Sequence, residues 1–296
     1  MDILLLGCNG QVGWELQRSL APLGRVTPLD YDSDSLCGDL SNLDGLSQTI
    51  RYLKPDVIVN AAAHTAVDKA ESEYEYAKLL NATAVEVLAK EAEAIGAWLI
   101  HYSTDYVFDG GGDKPWEEVD TPAPLNVYGK TKHAGEQSIQ NHCSKYLIFR
   151  TSWVYAARGN NFAKTMLRLG QDKDELSVIN DQFGAPTGAE LLADCTAHAV
   201  SKAQINPELA GLYHLTASGT TSWYEYASLV FDCASKAGVE LAIQKLHPVT
   251  TSVFPTPATR PHNSRLNTAK FQTSFGLVLP AWQQGVKRML DEILGE

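Results

Sequence analysis

Residues 3–13 read ILLLGCNGQVG, a short apolar run followed at once by a loop with three glycines. The run has the length of a buried strand, and residues 11–23 after it carry apolar side chains at helical spacing. A strand, a glycine-rich turn and a helix in this order are typical of a dinucleotide-binding βα unit. Backbone N–H groups of such a turn approach a pyrophosphate, and the helix N-terminus favours its negative charge. A plain βα turn is the alternative, but one glycine usually suffices for it.

The first half of the chain continues this alternation of strands and helices. Strands are predicted at 3–6, 25–29, 56–60, 98–102 and 146–150, and helices at 11–23, 43–53, 76–95 and 133–141. Strands alternating with helices indicate a parallel sheet, and strands that are apolar throughout indicate helices on both faces. We therefore predict an α/β fold with a Rossmann-type doubly wound parallel sheet.

The pattern loosens after about Thr151, so we predict two domains. Residues 1–150 form a nucleotide-binding Rossmann domain in this interpretation. Residues 151–296 form mainly a smaller mixed α/β domain for the substrate, with short returns to the main sheet. A last amphipathic helix is predicted at 281–294.

The composition narrows the class of protein. Of the 296 residues, 44% are hydrophobic and 20% are charged, which suits a sizeable core and argues against disorder. The net charge of −11 and the absence of a basic run argue against nucleic acid or an anionic membrane as partner. No apolar stretch reaches the roughly 20 residues of a membrane span. The five cysteines are scattered, which favours free thiols in a reducing cytoplasm.

Polar and small residues at the predicted strand ends suit a dinucleotide. Asp30 ends the second strand, where a carboxylate accepts hydrogen bonds from ribose hydroxyls and repels a 2′-phosphate. No Lys or Arg follows it immediately, so we expect NADH to be accepted. Asp39 and Leu40 fit further contacts, and the alanines after Asn60 let the backbone pass close to a ribose. The alternatives are a strand-end turn residue at Asp30 and a tightly packed strand end at the alanines.

Tyr128 and Lys132 are four residues apart and share one face of a helix. A free phenol has a pKa of about 10 and is a poor acid at neutral pH, whereas a neighbouring ammonium lowers that pKa. Tyr128 could then protonate a carbonyl oxygen as hydride reaches its carbon. An exposed helical pair is the alternative, but the pair comes just after the loop that follows the fourth predicted strand and contains Ser103 and Thr104. A hydroxyl there is placed to donate a hydrogen bond to a substrate oxygen.

These motifs, in this order and spacing, resemble the extended short-chain dehydrogenase/reductase family. The resemblance implies that Thr104 is the triad hydroxyl, Tyr128 the acid and Lys132 its electrostatic partner. It further implies a C-terminal domain that binds a nucleotide sugar. The implied substrate-binding residues are Thr104, Asp105, Tyr128 and Trp153. The implied cofactor-binding residues are Gly7, Gly10, Gln11, Val12, Gly13, Asp30, Asp39, Leu40, Ala62, Ala63, Thr65, Tyr102, Tyr128 and Lys132.

Four stretches, 60–71, 103–110, 150–155 and 181–187, are similar to the dTDP-4-dehydrorhamnose reductase family. That resemblance implies NADH- or NADPH-dependent reduction of dTDP-4-dehydro-6-deoxy-L-mannose to dTDP-L-rhamnose. This is the last step in making the rhamnose donor, which serves lipopolysaccharide O-antigen synthesis. It also implies a cytoplasmic homodimer, and in some members Mg²⁺ held by interface carboxylates. Glu15 and Glu190 are the candidate ligands here, with two surface glutamates as the alternative.

The same residues bear on related activities. Related dehydratases carry Thr-Asp-Glu where this chain has Thr104-Asp105-Tyr106, which argues against water elimination. A reductase or epimerase of another nucleotide sugar stays open, as does a non-catalytic NADP-binding regulatory subunit. Trp153 could stack on the substrate or fill a domain interface. The weaker candidates for nucleotide contacts are Asn161, Gln182 and Arg260, and no catalytic role is expected for His64 or His101.

Overall fold

The computed structural model describes residues 1–295 of the chain. The strands are β1 (Asp2–Leu6), β2 (Arg25–Leu29), β3 (Val57–Asn60), β4 (Trp98–Thr104), β5 (Tyr146–Thr151), β6 (Val154–Tyr155), β7 (Glu175–Ile179), β8 (Phe183–Gly184), β9 (Thr187–Gly188), β10 (Gly211–His214), β11 (Thr221–Ser222) and β12 (Lys245–Val249). The α-helices are α1 (Gln11–Leu20), α2 (Leu43–Leu53), α3 (Val67–Ala70), α4 (Tyr74–Lys78), α5 (Ala84–Ile95), α6 (Val127–His142), α7 (Phe162–Asp172), α8 (Ala189–Ile205), α9 (Trp223–Lys236), α10 (Ala269–Phe275) and α11 (Trp282–Leu294).

The central sheet is parallel and has the strand order β10-β5-β4-β3-β1-β2. The chain leaves β1 for β2 on one side and then crosses to β3 on the other. At such a reversal the loops after neighbouring strands diverge and open a crevice at the carboxyl ends of the strands. The predicted Rossmann-type doubly wound sheet is confirmed, and the crevice is where a ligand is expected.

Helices cover both faces of this sheet. Successive side chains of a strand point to opposite faces, so Ile3 and Leu5 pack with α1, α8 and α10, whereas Leu4 and Leu6 pack with α2, α5 and α6. All four are at most 1% exposed. The apolar N-terminus is thus an inner strand of the sheet, buried on both faces between β2 and β3, as its unbroken apolar run predicts. Within residues 1–295, none of the helices combines the length and apolar character needed to cross a membrane.

The second half of the chain builds a further apolar cluster. Helices α7, α9 and α11 pack around Tyr226, Phe231 and Trp282, beside a small parallel pair formed by β7 and β12. In contrast, α8 and α10 pack against the central sheet and β10 joins its edge. The division at residue 150 stays a prediction.

Two predicted helices differ from the observed ones near the crevice. The helix predicted at 133–141 begins at Val127, because the Asn126 side chain accepts a hydrogen bond from the Gly129 N–H at 2.8 Å. The helix predicted at 76–95 is interrupted by a π-helical turn at Leu79–Thr83. Asn81 in this turn bonds the backbone of His64 and the hydroxyl of Thr131 on α6. The wider turn therefore ties the loop after β3 to the helix that carries Tyr128.

Candidate active site

One cavity of about 630 Å³ opens at the carboxyl ends of the central strands, where the strand order reverses. Apart from Gly13, it is lined by every cofactor- or substrate-binding residue that the family resemblance implies. These lining residues are Gly7, Gly10, Gln11, Val12, Asp30, Asp39, Leu40, Ala62, Ala63, Thr65, Tyr102, Thr104, Asp105, Tyr128, Lys132 and Trp153. Residues far apart in the sequence thus meet around one space, and their individual roles stay predictions.

The glycine loop lets two backbone segments approach each other closely. Gly7 has a positive φ of 77°, and a Cβ there would lie 2.7 Å from the backbone nitrogen of Ala62. A side chain on Gly13 would overlap the carbonyl oxygen of Gly7, which explains why Gly13 supports the loop from outside the cavity. Helix α1 starts after Gly10 without a side-chain cap or an acidic residue in its first turn. Its N-terminus is therefore suited to an anion such as a pyrophosphate.

Asp30 lies beside this loop at the end of β2. Its carboxylate accepts hydrogen bonds from the N–H groups of Asn9 and Tyr31, both at 2.8 Å. These bonds fix the carboxylate at the cavity wall and leave it lone pairs for further donors. The next basic residue along the sequence is Arg51, and Asp32 lies between them. The residues that follow Asp30 along the sequence therefore offer no positive charge to a 2′-phosphate.

Lys132 is buried at the base of the cavity and is 2% exposed. Its Nζ donates to the carbonyl oxygen of Tyr102 at 2.6 Å and lies 3.1 Å from Nε2 of His101. Burial lowers the pKa of Lys132 to about 8, although the charge of Glu136 acts in the opposite direction. The lysine is therefore held by β4 at a fixed place on the cavity wall.

Tyr128 differs from its prediction in one respect. Burial raises the pKa of its phenol to about 12, and the charge of Asp105 acts in the same direction. The expected lowering by Lys132 is wrong for the chain alone, because the lysine bonds β4 instead and desolvation dominates. The phenol is consequently protonated at neutral pH, which is the form that a proton donor requires.

Thr104 ends β4 and Asp105 follows it, and both are close to Tyr128. The Thr104 hydroxyl donates to Oδ1 of Asp105 at 3.1 Å and accepts from the N–H of Tyr106 at 3.1 Å. Burial raises the pKa of Asp105 to about 7. The ring of Tyr106 packs edge-on against Tyr128 at 5.7 Å, so an aromatic side chain stands where a dehydratase has its glutamate. The wall contains a hydroxyl and a carboxyl, with no second carboxylate at position 106.

The opposite wall is aromatic. Trp153 has a positive φ of 51°, a strained conformation for a non-glycine residue. Its ring stacks on that of Trp223 at 3.6 Å between centroids, and both line the cavity. The indole N–H of Trp223 donates to Gln182. Trp223 was not predicted from the sequence as a residue of the site, because it lies in the first turn of α9 and belongs to no local motif.

The weaker sequence candidates have structural partners. Asn161 caps α7 by accepting from the N–H of Lys164, and Gln182 bonds Trp223 and Thr251. Arg260 forms an ion pair with Asp68, with an N–O distance of 2.7 Å. None of the three lines the cavity. Arg260 is thus an ion-paired loop arginine and not a residue that lines the cavity.

Glu15 and Glu190, the metal candidates, lie outside the cavity on the packed helices α1 and α8. Glu190 is half-buried, and desolvation together with the charges of Glu15, Glu292 and Asp194 raises its pKa. Among residues 1–295, no three His, Cys, Asp or Glu side chains are grouped as metal ligands. The Mg²⁺ site stays a prediction.

A glycine turn at the sheet reversal, with a tyrosine and a buried lysine in the same cavity, defines a class, the short-chain dehydrogenases/reductases. A family model described as "RmlD substrate binding domain" matches residues 1–294. The chain is 67% identical to the dTDP-4-dehydrorhamnose reductase of Escherichia coli K12 over 293 residues, which is 99% of this chain and 98% of that protein. The chain belongs to the dTDP-4-dehydrorhamnose reductase family.

Solved structures of two relatives have the same fold. The dTDP-4-dehydrorhamnose reductase of Clostridium acetobutylicum is 37% identical with a TM-score of 0.89, and 99% of each chain is covered. The reductase of Bacillus anthracis, solved in complex with NADP, is 36% identical with a TM-score of 0.88. It covers 98% of this chain and 99% of that one. The similarity therefore includes both halves of the chain.

Proposed function

We propose that the chain reduces the 4-keto group of dTDP-4-dehydro-6-deoxy-L-mannose and releases dTDP-L-rhamnose. The chain is an NAD(P)H-dependent oxidoreductase of the family named above. The observation that carries the assignment is the meeting of the glycine turn, Tyr128 and Lys132 around one cavity. It supplies a place for a dinucleotide beside a group that can give a proton.

The cavity fits a reduced nicotinamide dinucleotide along its length. Gly7 and Gly10 leave space for the pyrophosphate at the start of α1, and Asp30 is placed for the adenine ribose. The charged Lys132 has one N–H left for a hydroxyl of the other ribose, since Tyr102 and His101 take the other two. When bound, the nicotinamide supplies the hydride.

The chain's own part in the reaction is to hold and protonate the carbonyl oxygen. In the proposal, the Thr104 hydroxyl turns from Asp105 to donate its one hydrogen bond to that oxygen, and Tyr128 gives it the proton as negative charge develops. The high pKa of Tyr128 favours this direction, because the phenol keeps its proton until an alkoxide forms. Trp153 and Trp223 offer an apolar surface for the deoxy-sugar or the base.

The proposal also includes features of the assembly and location. We place the enzyme in the cytoplasm, which agrees with its five free cysteines, and assign it a homodimer. Mg²⁺ at Glu15 and Glu190 and a role of the product in lipopolysaccharide synthesis complete it. These features rest on the family resemblance.

Absorbance of NADH and NADPH at saturating dTDP-4-keto-6-deoxy sugar tests the activity. We expect oxidation of both cofactors and formation of the dTDP-6-deoxyhexose, with UDP- and GDP-linked 4-keto sugars as matched controls. Faster turnover of a UDP- or GDP-linked sugar would reassign the substrate. Cofactor binding with no turnover of any sugar would instead favour the regulatory subunit.

A further inference from the structure

A buried chain of side chains runs from Lys132 into the central sheet. Nζ of Lys132 lies 3.1 Å from Nε2 of His101 on β4, and Nδ1 of His101 lies 3.1 Å from Nδ2 of Asn60 on β3. His101 and Asn60 are each 1% exposed. Groups buried this deeply depend on the hydrogen bonds that the protein itself provides. In this series of hydrogen bonds, each donor and acceptor can therefore be assigned from whether its atom can donate, accept or do both.

The assignment starts from the backbone. Oδ1 of Asn60 lies 3.1 Å from the backbone nitrogen of Ala62. A backbone N–H can only donate, so the amide oxygen must face it, and the amide NH₂ of Asn60 must then face His101. That NH₂ donates to Nδ1, which accepts only when it carries no proton.

The tautomer of His101 follows. Burial, and after it the charge of Lys132, lowers the pKa of His101 well below its usual value, so the ring is neutral. A neutral ring with a bare Nδ1 carries its proton on Nε2, which points at Lys132. An ammonium group has no lone pair to accept that proton, whereas an uncharged amine has one. The hydrogen bonds that link Asn60, His101 and Lys132 are all satisfied only when Lys132 is an uncharged amine.

We infer that Asn60 and His101 weaken the hold of Lys132 on its proton, because the tautomer of His101 that Asn60 favours can donate to Lys132 only in its uncharged form. When Lys132 is charged, it donates to Nε2, the ring proton moves to Nδ1, and that N–H opposes the NH₂ of Asn60. His101 is thus a positioning residue that acts through Lys132. It changes tautomer, and stays neutral, as Lys132 gains or loses its proton.

Other groups around Lys132 do not produce this coupling. Glu136 favours the ammonium form, but Arg150 on β5 binds both of its oxygens at 2.7 and 2.8 Å. The carbonyl of Tyr102 accepts from an amine as well as from an ammonium group. Tyr128, four residues earlier on α6, is uncharged at neutral pH. The coupling therefore depends on His101 and Asn60.

A weakly held proton has a use if the proposed function is correct. Hydride transfer leaves a positive charge on the nicotinamide ring, and an ammonium group bound to the adjacent ribose would repel it. A lysine that releases its proton easily reduces this repulsion. The inference rests on the proposed function for its purpose, but its test needs no substrate.

Nuclear magnetic resonance of the full-length protein tests the inference without an activity measurement. Imidazole ¹⁵N shifts of His101 and the ¹³Cε shift of Lys132 are followed from about pH 6 to about pH 10. The signals are assigned by their loss in His101→Gln and Lys132→Met. We expect His101 to change from the Nδ1–H to the Nε2–H form at the pH where Lys132 titrates. A tautomer that does not change, or a doubly protonated ring, would overturn the inference.

One substitution, Asn60→Asp, should change the coupling in a known direction. Asn60→Asp offers an acceptor to Nδ1–H, so we expect a fixed Nδ1–H form and a Lys132 pKa higher by about one unit or more. Asn81→Asp is the matched control, since Asn81 is also fully buried against α6 but does not touch His101. The control should keep the tautomer change and shift the pKa less.

Equal shifts in the two variants would attribute the effect to charge alone and overturn the inference. If Asn60→Asp does not fold, His101→Gln serves in its place. The side-chain carbonyl of the glutamine accepts a hydrogen bond from the ammonium group and needs no change of tautomer to do so. The pKa of Lys132 should therefore rise in this variant too. An unchanged pKa would contradict the proposal. If the wild-type protein shows the His101–Lys132 coupling but does not turn over the sugar, the result would count against the proposed function instead.

Discussion

The two ends of the cavity differ in whether backbone or side chains form the wall. At the glycine-loop end, backbone meets backbone, and Gly7 has no space for a Cβ against Ala62. At the other end the wall is made of side chains, with Trp153 and Trp223 stacked at 3.6 Å. Tyr128 lies between the two ends. Substitutions at one end should therefore change cofactor binding, those at the other should change the use of the sugar, and Tyr128 should affect the chemistry itself.

The largest effect is expected at the junction of the two ends. Tyr128→Phe keeps the ring and its contact with Tyr106 but removes the transferable proton. We expect turnover to fall by about 10²–10⁴-fold, the usual contribution of a general acid, with NADH affinity retained. Tyr106→Phe is the matched control and should keep most activity. Steady-state rates and fluorescence titration with NADH measure the two properties, and near-normal turnover of Tyr128→Phe would place the acid elsewhere.

The cofactor end should show a dependence on alkaline pH. Lys132 has a pKa of about 8, below its usual value, so it is charged at neutral pH and loses its charge as the pH rises through that value. If the ammonium binds the ribose, kcat/KM should decline above about pH 8 by about tenfold per unit. A pH profile from neutral to alkaline conditions measures this. A flat profile would show that the charge of Lys132 is not required.

Trp223, the second tryptophan of the substrate end, tests whether the aromatic pair contributes to the use of the sugar. Trp223→Ala removes the stacking partner of Trp153, so we expect kcat/KM for the sugar to fall by about tenfold while NADH affinity is unchanged. Trp14→Ala is the control, because Trp14 is 46% exposed and does not line the cavity. Thermal unfolding shows whether the variant is folded. A folded variant with normal kcat/KM would restrict the aromatic pair to packing.

The smallest effect is expected at the adenine ribose. Asp30→Ala removes a ribose acceptor and the repulsion of a 2′-phosphate, so NADH should weaken by about three- to fivefold and NADPH less. Asp32→Ala, at an exposed neighbouring site, should leave the ratio unchanged. Dissociation constants for both cofactors decide the matter. Equal weakening of the two would show that Asp30 does not bind the ribose.

The same contrast explains how much could be predicted from the sequence. The glycine turn and the tyrosine–lysine pair are local, because a loop geometry and a helix repeat fix their spacing. Trp223 and the partners of Lys132 could not be found this way, since tertiary packing brings them together. Desolvation also depends on packing, so the rise in the pKa of Tyr128 could not be predicted from the sequence.

The central claim is that this cavity delivers hydride to the sugar carbonyl and that Tyr128 protonates it. Cofactor deuterated at the transferring C4 position tests this directly, with the product analysed by mass spectrometry and NMR. We predict one deuterium on C4 of the sugar with the wild-type chain, and formation of that product at about 10²–10⁴-fold lower rate with Tyr128→Phe. Deuterium at another sugar carbon, or equal rates for the two proteins, would contradict the account.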